Sequence, residues 1–292
     1  MTISREHLRT WSYAELRAEG TSRAGIERAL EIGQLVRARR DFYVEGSACD
    51  ALVGAVRIGG RLDCVSLMRE LGVFVLHDDC KLHVQIPRTR KALRSPASRR
   101  IRLNHRVHSV VTHWRDDDTE RDSTVAAIPR ALAQAVRCQR PRPALATLDS
   151  ALNRGVIGEA DLTDVFEQLP TVLQHLRRLI DGRAESGPET FARLIAKTLG
   201  VDVALQVIIP GVGRVDLLID GWIVVECDSR QFHGGWEMQE RDRLRDLLLA
   251  DRGFASLRPT ASQIFTEPQL LRNALRGLLE RGRPAHARHI MR

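Results

Sequence analysis

The stretch RVDLLIDGWIVVECDSRQFHG, Arg214 to Gly234, decides how the chain is read. Two apolar, β-branched runs, VDLLI and WIVVECD, are joined at Asp220-Gly221, a pair suited to a tight reversal. Asp216 lies inside the first run, and Glu226 lies in the second with Asp228 two residues on. A carboxylate in an otherwise apolar strand is costly unless it is paired, exposed or bound to a cation. Side chains alternate along a strand, so Glu226 and Asp228 share a face. A three-residue loop (Ile219, Asp220 and Gly221, glycine in the left-handed position) puts Asp216 on the face of positions 224, 226 and 228. A two-residue turn at Asp220-Gly221 sends it to the opposite face. The odd loop is expected, with three acids converging.

Working outward, PETFARLIAKTLG upstream reads as an amphipathic helix with Pro188 at its first position and Glu189 in its first turn. Glu189 is thus a fourth candidate acid. Downstream, WEMQERDRLRDLLLADRG reads as a helix closed by Gly253, FASLR as a further strand, and residues 267–281 as a last helix. The order helix, strand, strand, strand, helix, strand is that of a mixed α/β core. Converging carboxylates with oxygen-only donors select Mg²⁺ or Mn²⁺. Asp216 and Glu226 are the expected ligands, with the Cys227 carbonyl as a further one. Such an ion polarises a phosphodiester and activates water. His233 is placed to transfer protons or to contact the scissile phosphate. The competing reading pairs Asp216 and Glu226 with Arg214, Arg230 or Arg241.

The net charge of +8 is unevenly spread. Residues 1–115 carry +9, residues 116–180 carry −2 and residues 181–292 carry +1, so the surplus lies entirely in the first third. From Lys81 to Arg115 there are ten basic residues and no acidic one, an arrangement that attracts a polyanion through counterion release. Arg88, Arg90, Lys91, Arg94, Arg99 and Arg100 are candidate phosphate contacts; the alternative is a solvated arginine-rich surface.

Ahead of that run, the first 45 residues read as helix, turn, helix and a basic hairpin. Ser22 caps the second helix, and LVRARRDFYVEG forms the hairpin. That is the outline of a winged helix-turn-helix, with Arg23 and Arg28 on the recognition helix and Arg37, Arg39 and Arg40 on the wing. A plain packing element with solvated arginines has the same pattern. Further β-like segments are VFVLHDD, KLHVQIP and RIRLNHRV, with a helix from Leu62 to Leu71 between the hairpin and the first of them. Residues 123–180 read as helical.

The five cysteines, Cys49, Cys64, Cys80, Cys138 and Cys227, include no C-x-x-C pair. Their spacing excludes a zinc ribbon and argues against a disulfide framework, so they are expected as reduced, buried, small apolar residues. No run is long and apolar enough for a membrane span, and the charged N-terminus shows no secretory signal. A cytosolic location and no membrane partner are expected.

The stretch from Arg214, followed by QERDRLRDLLLADRGFASLRPT, resembles the very-short-patch-repair-like endonucleases of the PD-(D/E)xK superfamily over about residues 183–275. The resemblance implies a restriction-endonuclease-like mixed-sheet core. Asp216 and Glu226 would be its metal pair, Glu189 its helix acid, and Asp228 and His233 further catalytic groups. Arg241 and Asp242 match the family's helix motif. Asp228 occupies the position of the superfamily lysine, and Ser229 stands where glycine is usual. Residues 1–115 are similar in outline to the winged-helix region of AbiEi-type antitoxins, carried by Ala14–Leu35, LVRARRDFYV and GRLDCVSLMRELGVFVL…LHVQIPR.

The expectation is an α/β (α+β overall) chain in three parts. Residues 1–115 form a winged-helix DNA-binding region with an α/β extension, 116–182 a helical linker, and 183–292 the nuclease core. The function expected is that of a bacterial, Mg²⁺-dependent endonuclease hydrolysing DNA phosphodiesters in defence or repair. The alternative is a transcriptional repressor or antitoxin with a catalytically inactive nuclease fold and a cognate toxin as partner. DNA is the partner in both readings, and homodimerisation stays open.

Overall fold

The computed structural model describes residues 9–76, 80–116, 123–227 and 236–283. It is a mixed α/β fold with three separate sheets among the described residues, none closed into a barrel. The chain forms two compact units: residues 1–147 with 154–178, and residues 148–153 with 179–292.

The first unit begins with α1 (Tyr13–Ala18) and α2 (Arg23–Glu31), followed by the antiparallel hairpin β1 (Leu35–Arg39) and β2 (Phe42–Glu45). Local sequence accounts for each start. Ser12 and Glu15 form a capping box on α1, and the Ser22 hydroxyl accepts from the Gly25 amide on α2. Leu16, Ile26 and Tyr43 pack together at the base of this element, with Trp11, Leu30 and Leu35 around them. Then come α3 (Asp50–Ile58), β3 (Arg61–Leu62), α4 (Cys64–Glu70), β4 (Leu82–Ile86) and β5 (Val110–Trp114). β3 runs antiparallel to β4, and β5 parallel to it, with His83 opposite Val111 and Gln85 opposite His113. A parallel pair needs a long connection. Here residues 87–109 supply it, and that crossover carries most of the basic run.

Two sequence expectations move at this point. RIRLNHRV forms no strand beyond a bridge between Arg94 and Arg102; the strand is the following segment, VVTHW. Residues 73–76 of VFVLHDD are not in a strand, and residues 77–79 lie outside the described residues. The sheet takes β-branched Val110, Val111 and Thr112 in preference to the Arg- and Asn-rich segment before them. The chain continues through α5 (Ile128–Cys138), α6 (Pro141–Asn153), whose residues 148–153 belong to the second unit, α7 (Asp161–Glu167) and a 3-10 helix (Thr171–Leu179).

The second unit contains α8 (Gly187–Lys197), β6 (Val203–Ile209), β7 (Gly213–Ile219), β8 (Ile223–Val225), α9 (Trp236–Asp251), β9 (Ala255–Leu257), α10 (Ala261–Thr266) and α11 (Pro268–Arg281). Its sheet has the order β6-β7-β8-β9, antiparallel except for the parallel β8–β9 edge. Ile219 pairs with Ile223, so the β7–β8 loop is Asp220, Gly221 and Trp222. The loop is odd, as expected, but begins one residue later than read from the sequence. Asp220 and Gly221 both adopt positive φ (51° and 70°), and Trp222 is buried, so the indole extends the core while the small polar pair turns the chain. The unit is further held by Asp149 and Arg193, both 1% exposed at the side chain and 2.7 Å apart.

Candidate functional site

The β7–β8 register fixes the acid cluster. With Leu217 opposite Val225, Asp216 falls opposite Glu226 on the same face. The Cys227 amide donates to Asp216 Oδ2 at 2.8 Å, and the Asp216 amide lies 3.4 Å from Glu226 Oε2. On the other side, Leu205↔Leu217 and Val207↔Val215 bracket Gln206, which therefore faces Asp216 across β6 and β7. Gln206 adopts a φ of 53°, an uncommon backbone state for a non-glycine residue. Its side-chain amide donates to Glu189 Oε2 at 2.9 Å. Glu189 is buried in the first turn of α8, where it also accepts from the Ser186 hydroxyl at 2.7 Å and the Glu185 amide at 2.9 Å.

Glu189, Gln206, Asp216 and Glu226 thus come from a helix, two strands and the end of a third. Gln206 was not visible from the sequence, because its position opposite Asp216 depends on register; an amide in the strand VALQVII was its only signal. Burial, followed by the nearby charges of Glu189, Glu226 and Glu185, pushes the Asp216 carboxyl up to about 6, against the Cys227 amide that favours its charge. Glu226 is ion-paired to Arg245 of α9 at 2.7 Å, and Arg245 also bonds the Arg214 carbonyl. Arg214 itself pairs with Glu185 at 2.8 Å. Arg245 is thus an arginine partner of the acid cluster, through Glu226; Arg230 lies outside the described residues. Asp228 and His233 lie outside the described residues.

The expectation of Mg²⁺ or Mn²⁺ is overturned. The group of metal-ligating atoms found among the described residues is Cys64, His83, His113 and Cys138, whose ligand atoms all lie within 4.8 Å of one another. Two thiols and two imidazoles are donors of the zinc type, not the hard oxygens magnesium requires. The carboxylates have found other partners: Glu226 an arginine, Asp216 an amide, and Glu189 three protein donors.

This Cys₂His₂ group is capable of holding a metal ion. Cys64 opens α4, His83 lies in β4, His113 in β5, and Cys138 ends α5. His83 Nδ1 and His113 Nε2 are 3.2 Å apart, and Cys138 Sγ is 4.0 Å from His113 Nε2. The Cys138 thiol is pulled down to about 2, first by the Cys64 S–H donating to it, then by His113, His83 and Gln134, against burial. The expectation of buried cysteines holds for Cys64 and Cys227; Cys49 is half-buried, Cys80 and Cys138 are exposed, and all five are free of disulfides. Sequence reasoning missed the group because its members run from position 64 to position 138 with no short spacing. The available signals were a histidine within each of two short β-like runs and a cysteine at each of two helix ends.

The candidate DNA contacts divide into two sets. Arg28, Arg40, Arg88, Lys91, Arg99 and Arg100 are exposed. Arg23 is exposed and paired with Glu27, and Arg37 lies over the Tyr43 ring at 5.7 Å. Arg39, Arg90 and Arg94 are half-buried and crowd together. Burial, and then the charges of Arg90 and Arg94, push the Arg39 guanidinium below its ordinary value, and its Nη1 is buried with no protein hydrogen-bond partner. Arg39 and Arg90 line one cleft with Gly59 and Pro87.

No described helix is long and apolar enough to cross a membrane. No family model matches the chain, and no curated protein matches it in sequence.

Proposed function

We propose that the protein binds DNA through its first unit and hydrolyses the phosphodiester backbone at the acid cluster of the second. The observation that carries this reading is the convergence of Glu189, Gln206, Asp216 and Glu226 on one sheet face. The order α8-β6-β7-β8-α9-β9 with a parallel last edge is also the layout expected of a PD-(D/E)xK core of very-short-patch-repair-like type. Asp216, at about 6, is ionised at neutral pH yet basic enough to take a proton from an attacking water. As the water oxygen bonds to phosphorus, the bond to the leaving oxygen breaks, and solvent protonates that oxygen. Glu189 and Glu226 act on Asp216 through their charge. Arg245 of α9 and Arg214 of β7 supply positive charge against the negative charge that builds on the phosphate.

The order helix, helix, basic hairpin supports a winged-helix role for α1 to β2, as in the AbiEi-type outline. Three crowded guanidiniums are mutually repulsive unless an anion sits between them, so Arg39, Arg90 and Arg94 favour a backbone phosphate there.

A second reading, a repressor or antitoxin with an inactive nuclease fold, is favoured by the Arg245–Glu226 pair and the Cys227–Asp216 bond, which tie up the acids. Plasmid nicking by the full chain, as purified and after chelation, separates the two. Activity lost in Asp216→Ala supports hydrolysis. Equal behaviour of wild type and variant at several protein concentrations removes it, and DNA binding that survives Asp216→Ala and Glu226→Ala without nicking leaves the regulatory reading.

A further inference from the structure

We propose that Cys64, His83, His113 and Cys138 hold a zinc ion in a closed, four-coordinate structural site within the first unit.

The geometry points to this ion. Zinc takes sulfur at about 2.3 Å and imidazole nitrogen at about 2.0–2.1 Å, which in a tetrahedron sets the nitrogens about 3.3 Å apart and nitrogen from sulfur about 3.6 Å. The observed 3.2 Å between His83 Nδ1 and His113 Nε2 meets the first value, and the 4.0 Å from Cys138 Sγ closes to the second with a small side-chain shift. Charge agrees as well. Two thiolates neutralise a divalent ion and two imidazoles stay neutral, so the occupied site carries no net charge, which suits a group whose Cys64 and His83 are buried. Each thiol loses its proton to solvent when the ion binds.

The surroundings are those of a ligand shell. The Gln134 amide donates to Cys138 Sγ at 3.3 Å, and the Gln134 carbonyl oxygen faces Arg115 Nη1 at 3.5 Å. Arg115 pairs with the fully buried Asp63 at 2.7 Å, next to Cys64. The Ser66 hydroxyl accepts from the His83 amide at 2.9 Å, fixing the strand that presents the imidazole. Outer partners of this kind orient ligands and are part of a built metal site. Cys64 is itself held at a φ of 54°, an uncommon conformation at the start of a helix. All four positions of the tetrahedron are protein donors, leaving none for water or substrate, so the site is structural. It ties both strands that flank the basic crossover to α4, which packs on β4, and to α5, which packs on α4.

The test is metal analysis of the full chain purified without chelator. One zinc per chain is expected, released stoichiometrically when the thiols are blocked with a mercurial. Replacement by cobalt should give the visible bands of a tetrahedral site and a thiolate charge-transfer band. Cys64→Ser and Cys138→Ser should each lose the zinc, while Cys49→Ser and Cys80→Ser keep it. The wild-type measurements stand even if the ligand variants fail to fold. Absence of zinc overturns the proposal, as does zinc retained in both ligand variants, a Cys64–Cys138 disulfide in the freshly purified protein, or stoichiometric iron in zinc's place. None of these outcomes depends on DNA hydrolysis.

Discussion

Arg245 reaches from α9 to form a 2.7 Å ion pair with Glu226, the residue directly opposite Asp216 on the neighbouring strand. One cation therefore balances the charge beside a half-buried acid. Arg245→Ala should remove that balance and raise the Asp216 pKa further above about 6. A carboxyl titration followed by NMR reads this directly. An unchanged Asp216 titration would show that Glu226 does not act on it.

Asp216→Asn should stabilise the protein at neutral pH. The folded-state pKa lies above the unfolded one, so the favourable contribution of protonated Asp216 is complete below about pH 4 and lost as the pH rises through about 6. Above that, native Asp216 is charged at a cost that asparagine avoids. A gain of about 1 kcal/mol is expected at pH 7.5, reduced by the solvent the side chain retains, and it should vanish toward pH 4. Thermal melts across that range test it; a gain independent of pH defeats it.

The buried Asp149–Arg193 pair gives a sharper stability test. Asp149 also accepts from Thr190 Oγ1 and the Asp181 amide, both at 2.8 Å, while Arg193 donates to the Leu179 carbonyl at 2.8 Å. Burial pushes the Asp149 carboxyl up even beside the guanidinium, so the charge is expensive once unpaired. Arg193→Met should cost about 3–5 kcal/mol in denaturant unfolding, and Asp149→Asn with Arg193→Met less than the sum of the two single changes.

DNA binding is tested at the arginine cluster. Arg39→Met and Arg90→Met should each weaken binding similarly across sequences and lower the slope of log affinity against log salt by about 1. Arg23→Ala should matter less if Glu27 holds its guanidinium, since they are 3.0 Å apart. Salt slopes unaltered in both cluster variants would remove the phosphate contact.

The second unit was largely legible in the sequence because its signals are local. Apolar, β-branched runs mark β7 and β8, Asp220-Gly221 marks the reversal, and Pro188 and Gly253 mark helix ends. The hairpin in the first unit was legible for the same reason. Less was readable where polarity and β-propensity compete: RIRLNHRV alternates like a strand, yet Val110 to Trp114 takes the place beside β4.

By itself, the sequence determined the composition of the site and the division of charge: acids clustered near Asp216, basic residues gathered in the first third. Tertiary structure decided which groups meet. Gln206 faces Asp216 only through strand register, and Arg245 takes Glu226 only because α9 lies against the sheet. Cys64, His83, His113 and Cys138 become neighbours only when a crossover makes β4 and β5 adjacent and two helix ends close over them. Metal chemistry depends on distances of a few ångströms, and separation along the chain carries no such information unless one turn or one strand spans it. That is why magnesium was expected from local acids, while the donors brought together by the fold are those of zinc.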